Sequence, residues 1–237
     1  MPLSEFVPPP LVRSTVMPPG SSSPPAVPQP AAPARRDAAE PELLNLFPCT
    51  VQISQIPDAA ALNQGLMHAV NEVRRTTPNS LPATWACHLY TTIHSPIDLF
   101  AHQEFALLKQ HIMSEANRYA DQLRLDTPRF PLRITSAWIN VYSTTDAQEI
   151  HCHTNNVISG VYYVKAPPGS SPLTFHSPMA EVMLNPPYRE MNDLNCYGAS
   201  FEAVEGRMIL FRSWLRHSVK PSKIHDERVS VAFNITM

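Results

Sequence analysis

The chain has 237 residues, a formal net charge of −2, 26 prolines, 10 histidines and only 4 cysteines. That length supports one domain with a sizeable core, and no apolar run approaches the roughly 20 residues needed to span a bilayer. The near-neutral charge leaves no basic excess to neutralise phosphates, which excludes nucleic-acid or membrane-surface binding driven by charge.

Thirteen of the 26 prolines fall within residues 1–48. Residues 1–41, with Pro8-Pro9-Pro10, Pro18-Pro19-Gly20 and Ser21-Ser22-Ser23-Pro24-Pro25, read as a disordered arm. Such a segment has too little apolar surface to offset its ordering entropy. Its polyproline stretches make it a candidate contact for an unidentified partner. Met1 to Pro10 is broken by prolines and lacks the charged start and continuous apolar stretch of a signal peptide. Cys49, Cys87, Cys152 and Cys196 are scattered, with no paired spacing. A cytoplasmic chain with reduced thiols is therefore expected.

The remaining residues, 42–237, are expected to form one domain. Cys49 to Ile53 alternates like a short strand, and Pro57-Asp58 opens a helix with Leu62, Leu66, Val70 and Val73 on one face, ended by Thr76-Thr77-Pro78-Asn79. A second helix follows Ser95-Pro96, with Phe105, Leu108, Ile112, Tyr119 and Leu123 forming one stripe. From Arg133 the period changes to two. Ile134–Tyr142, Ile158–Lys165, Pro172–Phe175, Arg207–Phe211 and Val229–Ile235 read as strands. Two helices followed by a run of short strands predicts an α+β chain, with helices packed on an antiparallel sandwich or barrel.

Three features in the strand-rich part carry chemistry. In Glu149-Ile150-His151-Cys152-His153-Thr154, the two histidines are two apart, so on an extended segment both imidazoles share a face. They suit one metal ion, and equally two polar side chains at a strand edge. Sixty-four residues beyond His153, an apolar strand runs through a short turn into His217, either a third ligand or a hydrogen-bonded structural residue. In the last strand, Arg228, Ser230, Ala232 and Asn234 alternate with Val229, Val231, Phe233 and Ile235. The polar face either meets water or lines a barrel interior, where Arg228 and Ser230 would clamp a carboxylate.

Taken in order, His-x-His, a distal His and Arg-x-Ser eleven residues later resemble the Fe(II)/2-oxoglutarate-dependent oxygenases. More narrowly, the chain is similar to a poorly characterised bacterial and phage branch. The shared strings are Leu46-Phe47-Pro48, Trp138-Ile139-Asn140, the Ser-Gly-Val-Tyr-Tyr-Val of Ser159 to Val164, Phe211 to His217 and Arg228 to Asn234. The resemblance spans about 43–237. It implies a double-stranded β-helix (jelly-roll) core with packed N-terminal helices. It also implies Fe(II) held by His151, His153 and His217, with 2-oxoglutarate as co-substrate. Arg228 and Ser230 would take the distal carboxylate, with Asn140 and Tyr142 approaching the co-substrate. No further catalytic residue is implied. The expected reaction is hydroxylation of a small molecule or of a peptide or amino-acid side chain, with dioxygen consumed and succinate and carbon dioxide released. A homodimer is compatible with this reading.

One departure stands out: His153 occupies the position that carries Asp or Glu in most of the superfamily. Asp146 and Glu149 are the nearest carboxylates, neither at the expected spacing. Two other readings compete. A cupin-type dioxygenase or binding protein would use the same three histidines but normally adds a glutamate shortly after the pair, where Thr154-Asn155-Asn156-Val157 has none. A non-catalytic interaction protein would keep the barrel and recruit partners through the proline arm.

Overall fold

A computed structural model of the chain describes residues 46–180, 184 and 186–237. The expected disordered arm, 1–41, lies outside the described residues. Strand β1 (Val51–Gln55) leads into helix α1 (Ala59–Thr76), followed by strand β2 (Tyr90–Thr91), helix α2 (Ala106–Gln122) and strands β3 (Arg133–Tyr142), β4 (Gln148–His151) and β5 (Ile158–Lys165). Strands β6 (Leu173–His176), β7 (Gly198–Phe201), β8 (Arg207–Arg212), β9 (His217–Val219) and β10 (Arg228–Thr236) complete the described residues. All strand pairings are antiparallel, in a six-stranded sheet ordered β1-β8-β5-β10-β3-β2 and a four-stranded sheet ordered β4-β9-β6-β7. The result is an α+β, jelly-roll-like core.

The two helices cover one face of the large sheet. Leu66 and Val70 of α1 and Leu108 and Ile112 of α2 are fully buried, and pack with Ile139, Val231 and Phe233 of the sheet. Each such side chain contributes about 1.5–3 kcal/mol by leaving water. Asn63 sits polar in this apolar stripe, and it accepts a 2.7 Å hydrogen bond from Tyr162 Oη, so it is buried with its partner. Buried Glu115 on α2 is likewise satisfied by Gln52 Nε2 at 2.8 Å and by Ser54 Oγ.

The opposite face of the large sheet meets the small one. Tyr163, Ile209 and Phe211 pack there against Leu173, Phe175 and Val219. Strand β10 is therefore buried on both faces: Val229, Val231, Phe233 and Ile235 point to the helices, while Arg228, Ser230 and Ala232 line a cavity between the sheets. Its polar face lines this cavity, with Asn234 half-buried near the strand end.

Several boundaries differ from the sequence reading. Strand β1 starts two residues late and includes Ser54 and Gln55, because its register runs from Val51↔Phe211 to Gln55↔Arg207 along the sheet edge. The second helix is preceded by two separate 3-10 turns, Leu99–Ala101 and Gln103–Phe105; Asp98 caps the first by accepting from the Phe100 amide at 3.0 Å. At the start of α1, Asp58 adopts a left-handed conformation (φ 51°) and its side chain makes no cap. Short strands β2, β4, β7 and β9, of two to four residues, have no period-two signature of their own and are held by pairing with neighbours.

Candidate functional site

Strands β4 and β9 pair so that His151 lies directly opposite His217. This cross-strand register brings together two side chains 66 positions apart. His153 follows just beyond the end of β4, and its backbone amide donates to the Ser213 carbonyl at 2.9 Å, which holds the chain beside the turn into His217. One ring nitrogen of each histidine lies within 4.8 Å of those of the other two. Neither Asp146 nor Glu149 belongs to this cluster. The Asp146 carboxylate instead accepts from the Ser143 amide at 2.7 Å, closing the β3–β4 turn.

The Nδ1 of each imidazole is already engaged. His151 Nδ1 lies 2.8 Å from the Glu149 carbonyl, and His217 Nδ1 lies 2.9 Å from the Leu215 carbonyl. His153 Nδ1 is 2.5 Å from Asn234 Oδ1. An oxygen acceptor requires a proton on Nδ1, so each neutral ring carries its lone pair on Nε2. Burial pushes all three pKa values down. His153 falls to about 4, although the Asn234 contact opposes the shift; His151 is lowered, and His217 lies well below the usual range. At neutral pH the cluster presents three unprotonated imidazoles, the form that a metal ion binds.

Arg228 sits 2% exposed in the same cavity. Its guanidinium carbon lies 4.6 Å from the Tyr142 ring centre and 5.0 Å from that of Tyr163, and Nη2 donates to Tyr163 Oη at 3.4 Å. Nε and Nη1 have no partner, and no carboxylate pairs with this arginine among the described residues. An isolated buried cation is costly unless an anion joins it. The cavity also holds the Gln148 side chain, 6% exposed, whose Nε2 is unpartnered. Tyr142 is buried there, its pKa pushed up to about 12 by desolvation against the opposing pull of Arg228. Three orphaned N–H-bearing atoms facing one slot suit an acceptor-rich ligand, and the neutral triad suits a divalent metal. The residues present thus fit both Fe(II) and a dicarboxylate.

The expected site residues fall together. His151, His153, His217, Arg228, Ser230, Asn140 and Tyr142 all line the cavity, with Trp85, Ile93 and Trp138 among the remaining walls. Asn140 is engaged at both ends of its amide: oriented to suit its neighbours, Nδ2 donates to Thr91 Oγ1 at 2.7 Å and Oδ1 accepts from Trp138 Nε1 at 3.2 Å. Of the two adjacent tyrosines, Tyr163 reaches Arg228, while Tyr162 faces the helices. The sequence reading missed Gln148 and Asn234. Gln148 carries no motif signal. Asn234 was visible as the last polar member of the alternating β10 face, but nothing in one sequence marks it as a histidine partner.

The slot is narrow, about 50 Å³. A single water needs roughly 10–15 Å³ on this scale, so it holds on the order of four waters or one small extended ligand.

Residues 136–234 match the family described as "Putative 2OG-Fe(II) oxygenase". No curated protein matched the sequence. Among solved structures, a prolyl-4-hydroxylase from Pseudomonas putida is similar at 15% identity, covering 79% of this chain and 92% of that one with a TM-score of 0.51. The non-heme alpha ketoglutarate dependent carbocyclase SnoK from nogalamycin biosynthesis is similar at 12% identity, covering 79% of each chain with a TM-score of 0.58. HygX from Streptomyces hygroscopicus, solved with nickel, 2-oxoglutarate and hygromycin B bound, is similar at 12% identity, covering 79% and 83% with a TM-score of 0.50. At these identities the structures establish a shared fold. The family match runs from Ser136 to Asn234 and so takes in Trp138, all three histidines and Arg228; over that stretch the chain is similar to the 2OG-Fe(II) oxygenases.

Proposed function

We propose that the chain is a hydroxylase in which His151, His153 and His217 hold Fe(II) through Nε2 and Arg228 anchors the distal carboxylate of 2-oxoglutarate. The observation that carries this reading is the buried, unpaired Arg228 guanidinium in the same slot as three neutral imidazoles. The triad alone would serve a cupin-type centre equally well; the arginine favours the oxo-acid. When bound, the iron and co-substrate supply oxidative decarboxylation by dioxygen, giving succinate and carbon dioxide and oxidising a substrate C–H bond.

The chain's own residues do the rest. Arg228 Nε and Nη1 donate to the dianion, and Ser230 Oγ and Gln148 Nε2 are further donors within the cavity. Tyr142 and Tyr163 flank the guanidinium and keep it dry. Thr91 and Trp138 lock Asn140, which makes that residue a wall of the slot and not a free donor. In this double-stranded β-helix reading the co-substrate would lie in the cavity between the two sheets, with His151, His153 and His217 holding the metal and Arg228 taking the distal carboxylate.

Among the described residues, Arg228 is the only charged side chain on the cavity wall; its other members include Trp85, Ile93 and Trp138. With the narrow slot filled by co-substrate, the reacting group arrives from the mouth. That favours an uncharged aliphatic carbon presented by a larger molecule, such as a peptide side chain or a bulky metabolite.

The test is anaerobic titration with Fe(II) and then 2-oxoglutarate, followed by succinate release against a panel of peptides and metabolites. Stoichiometric binding of both supports the reading. Wild-type protein that binds no Fe(II), or a His217→Ala variant that binds it as well as wild type, overturns it.

A further inference from the structure

The three histidines are not held alike. His151 and His217 each engage a backbone carbonyl two residues earlier, so their ring orientation is set locally. His153 instead relies on the side chain of Asn234, 81 positions away on β10. We propose that Asn234 is the positioning residue of the third ligand: its amide oxygen fixes His153 in the Nδ1–H tautomer and aims Nε2 at the metal. The inference rests on reading His153 as a ligand.

The amide is itself aimed. Asn234 Nδ2 donates to Ser136 Oγ at 3.1 Å, and Ser159 Oγ lies 2.7 Å from Asn234 Oδ1. Ser159 Oγ is also 2.8 Å from Ser213 Oγ. Each hydroxyl has one proton, so the consistent arrangement has Ser213 donating to Ser159 and Ser159 donating to Asn234. The Ser213 carbonyl in turn accepts from the His153 backbone amide at 2.9 Å. A closed circuit results, from the His153 backbone through Ser213, Ser159 and Asn234 back to the His153 ring. Ser159 and Ser213 are both fully buried, which shields the bond between them from water, and Asn234 is half-buried. With Ser136 Oγ accepting from Nδ2 and Ser159 Oγ donating to Oδ1, this amide orientation satisfies its neighbours and presents oxygen to His153.

An amide also leaves the charge of the site unaltered. An Asp at 234 would place a negative charge one bond network from the metal, whereas Asn keeps the whole ligand set neutral. The metal's two positive charges then face the co-substrate dianion undiminished.

Co(II) alone, titrated into metal-free protein against a competing chelator, tests this without turnover. Wild type, His217→Ala, Asn234→Leu and Asn234→Asp are compared, each with a thermal melt of the metal-free form. Leu keeps the size and removes the acceptor; Co(II) affinity is expected to fall about 10–100-fold, with an altered visible Co(II) spectrum. Asp restores the oxygen, and affinity returns at least to the wild-type level. A merely structural asparagine would lower the melting temperature of Asn234→Leu while leaving its Co(II) affinity and spectrum intact, which overturns the proposal. Failure of Asp to restore affinity overturns it as well. Loss of Co(II) binding in wild type would instead sink the metal-centre reading. Should Asn234→Leu not fold, nitrogen NMR on metal-free wild type decides: a His153 Nδ1–H tautomer supports the proposal, and an Nε2–H tautomer overturns it.

Discussion

Arg228 brings a full positive charge into a space 2% exposed to water, and among the described residues no carboxylate pairs with it. Removing the solvation of an ion without a counter-ion costs several kcal/mol, so this side chain weakens the ligand-free fold. The flanking Tyr142 and Tyr163 faces recover part of that, about 0.5–2 kcal/mol for each cation–π contact. Two outcomes of Arg228→Met follow from this imbalance. Binding of 2-oxoglutarate should weaken by at least about 30-fold, the effect of truncating one partner of a buried charge pair. Urea unfolding of the ligand-free variant should show stability equal to or above wild type, because the stranded charge is gone. Isothermal titration and equilibrium unfolding on the same preparation check both. An arginine serving only the fold would give the reverse pattern, with stability lost and binding kept. Gln148 is a milder case of the same logic. Its Nε2 is a buried donor without an acceptor, and Gln148→Leu should weaken 2-oxoglutarate binding about 2–13-fold, in keeping with one hydrogen bond of roughly 0.5–1.5 kcal/mol, while leaving the melting temperature within a few degrees.

At the level of elements, the site depends on where strands stop and cross. Strand β10 is the clearest case. Its alternation of Arg, Ser, Ala and Asn with Val, Val, Phe and Ile could be read directly from the residues, and both faces are indeed occupied, one by helices and one by the cavity. The same strand shows what could not be read. Asn234 is the fourth polar residue of a repeating pattern, and only the pairing Asn234↔Ser159 and Asn234↔Ser136 gives it neighbours that orient its amide. Strands β4 and β9 were missed for a related reason: four and three residues leave no room for a period, and their existence follows from the His151↔His217 register. Gly160 in β5 was legible only as part of a motif string. A Cβ there would lie 2.5 Å from Phe233 Cζ and 2.9 Å from the Ile209 carbonyl oxygen. The Phe233 ring thus lies on the bare backbone between β8 and β10, filling the space a side chain would need. Gly160→Ala should cost about 1–3 kcal/mol, as overpacking of a close-packed core does. Because Ser159 adjoins it, metal affinity should fall too. Paired urea denaturation and Co(II) titration measure the two effects, and an unchanged unfolding midpoint would show that the Phe233 ring moves aside freely.

Across the whole molecule, the centre places three imidazoles among apolar walls and so ties folding to pH. His153 has a folded-state pKa of about 4, against about 6.5 in an exposed chain. Between those values the unfolded chain takes up a proton that the folded protein refuses. Stability is therefore complete above pH about 6.5 and declines as the pH falls towards 4, by at most roughly 3 kcal/mol from this residue. His151 and His217 are shifted in the same direction by burial and steepen the decline. Thermal melts of metal-free protein across this range should show the fall, and His153→Gln should flatten it without abolishing it. Metal-loaded protein adds a second linkage, because only unprotonated imidazoles bind the ion. At neutral pH a saturating metal raises the melting temperature in proportion to the logarithm of free metal over its dissociation constant. The increment should shrink only where the folded rings themselves begin to take up protons, towards pH about 4 for His153, and vanish where all three are protonated. A melting temperature independent of both metal and pH would mean that the three histidines are neither coupled to folding nor poised to bind an ion.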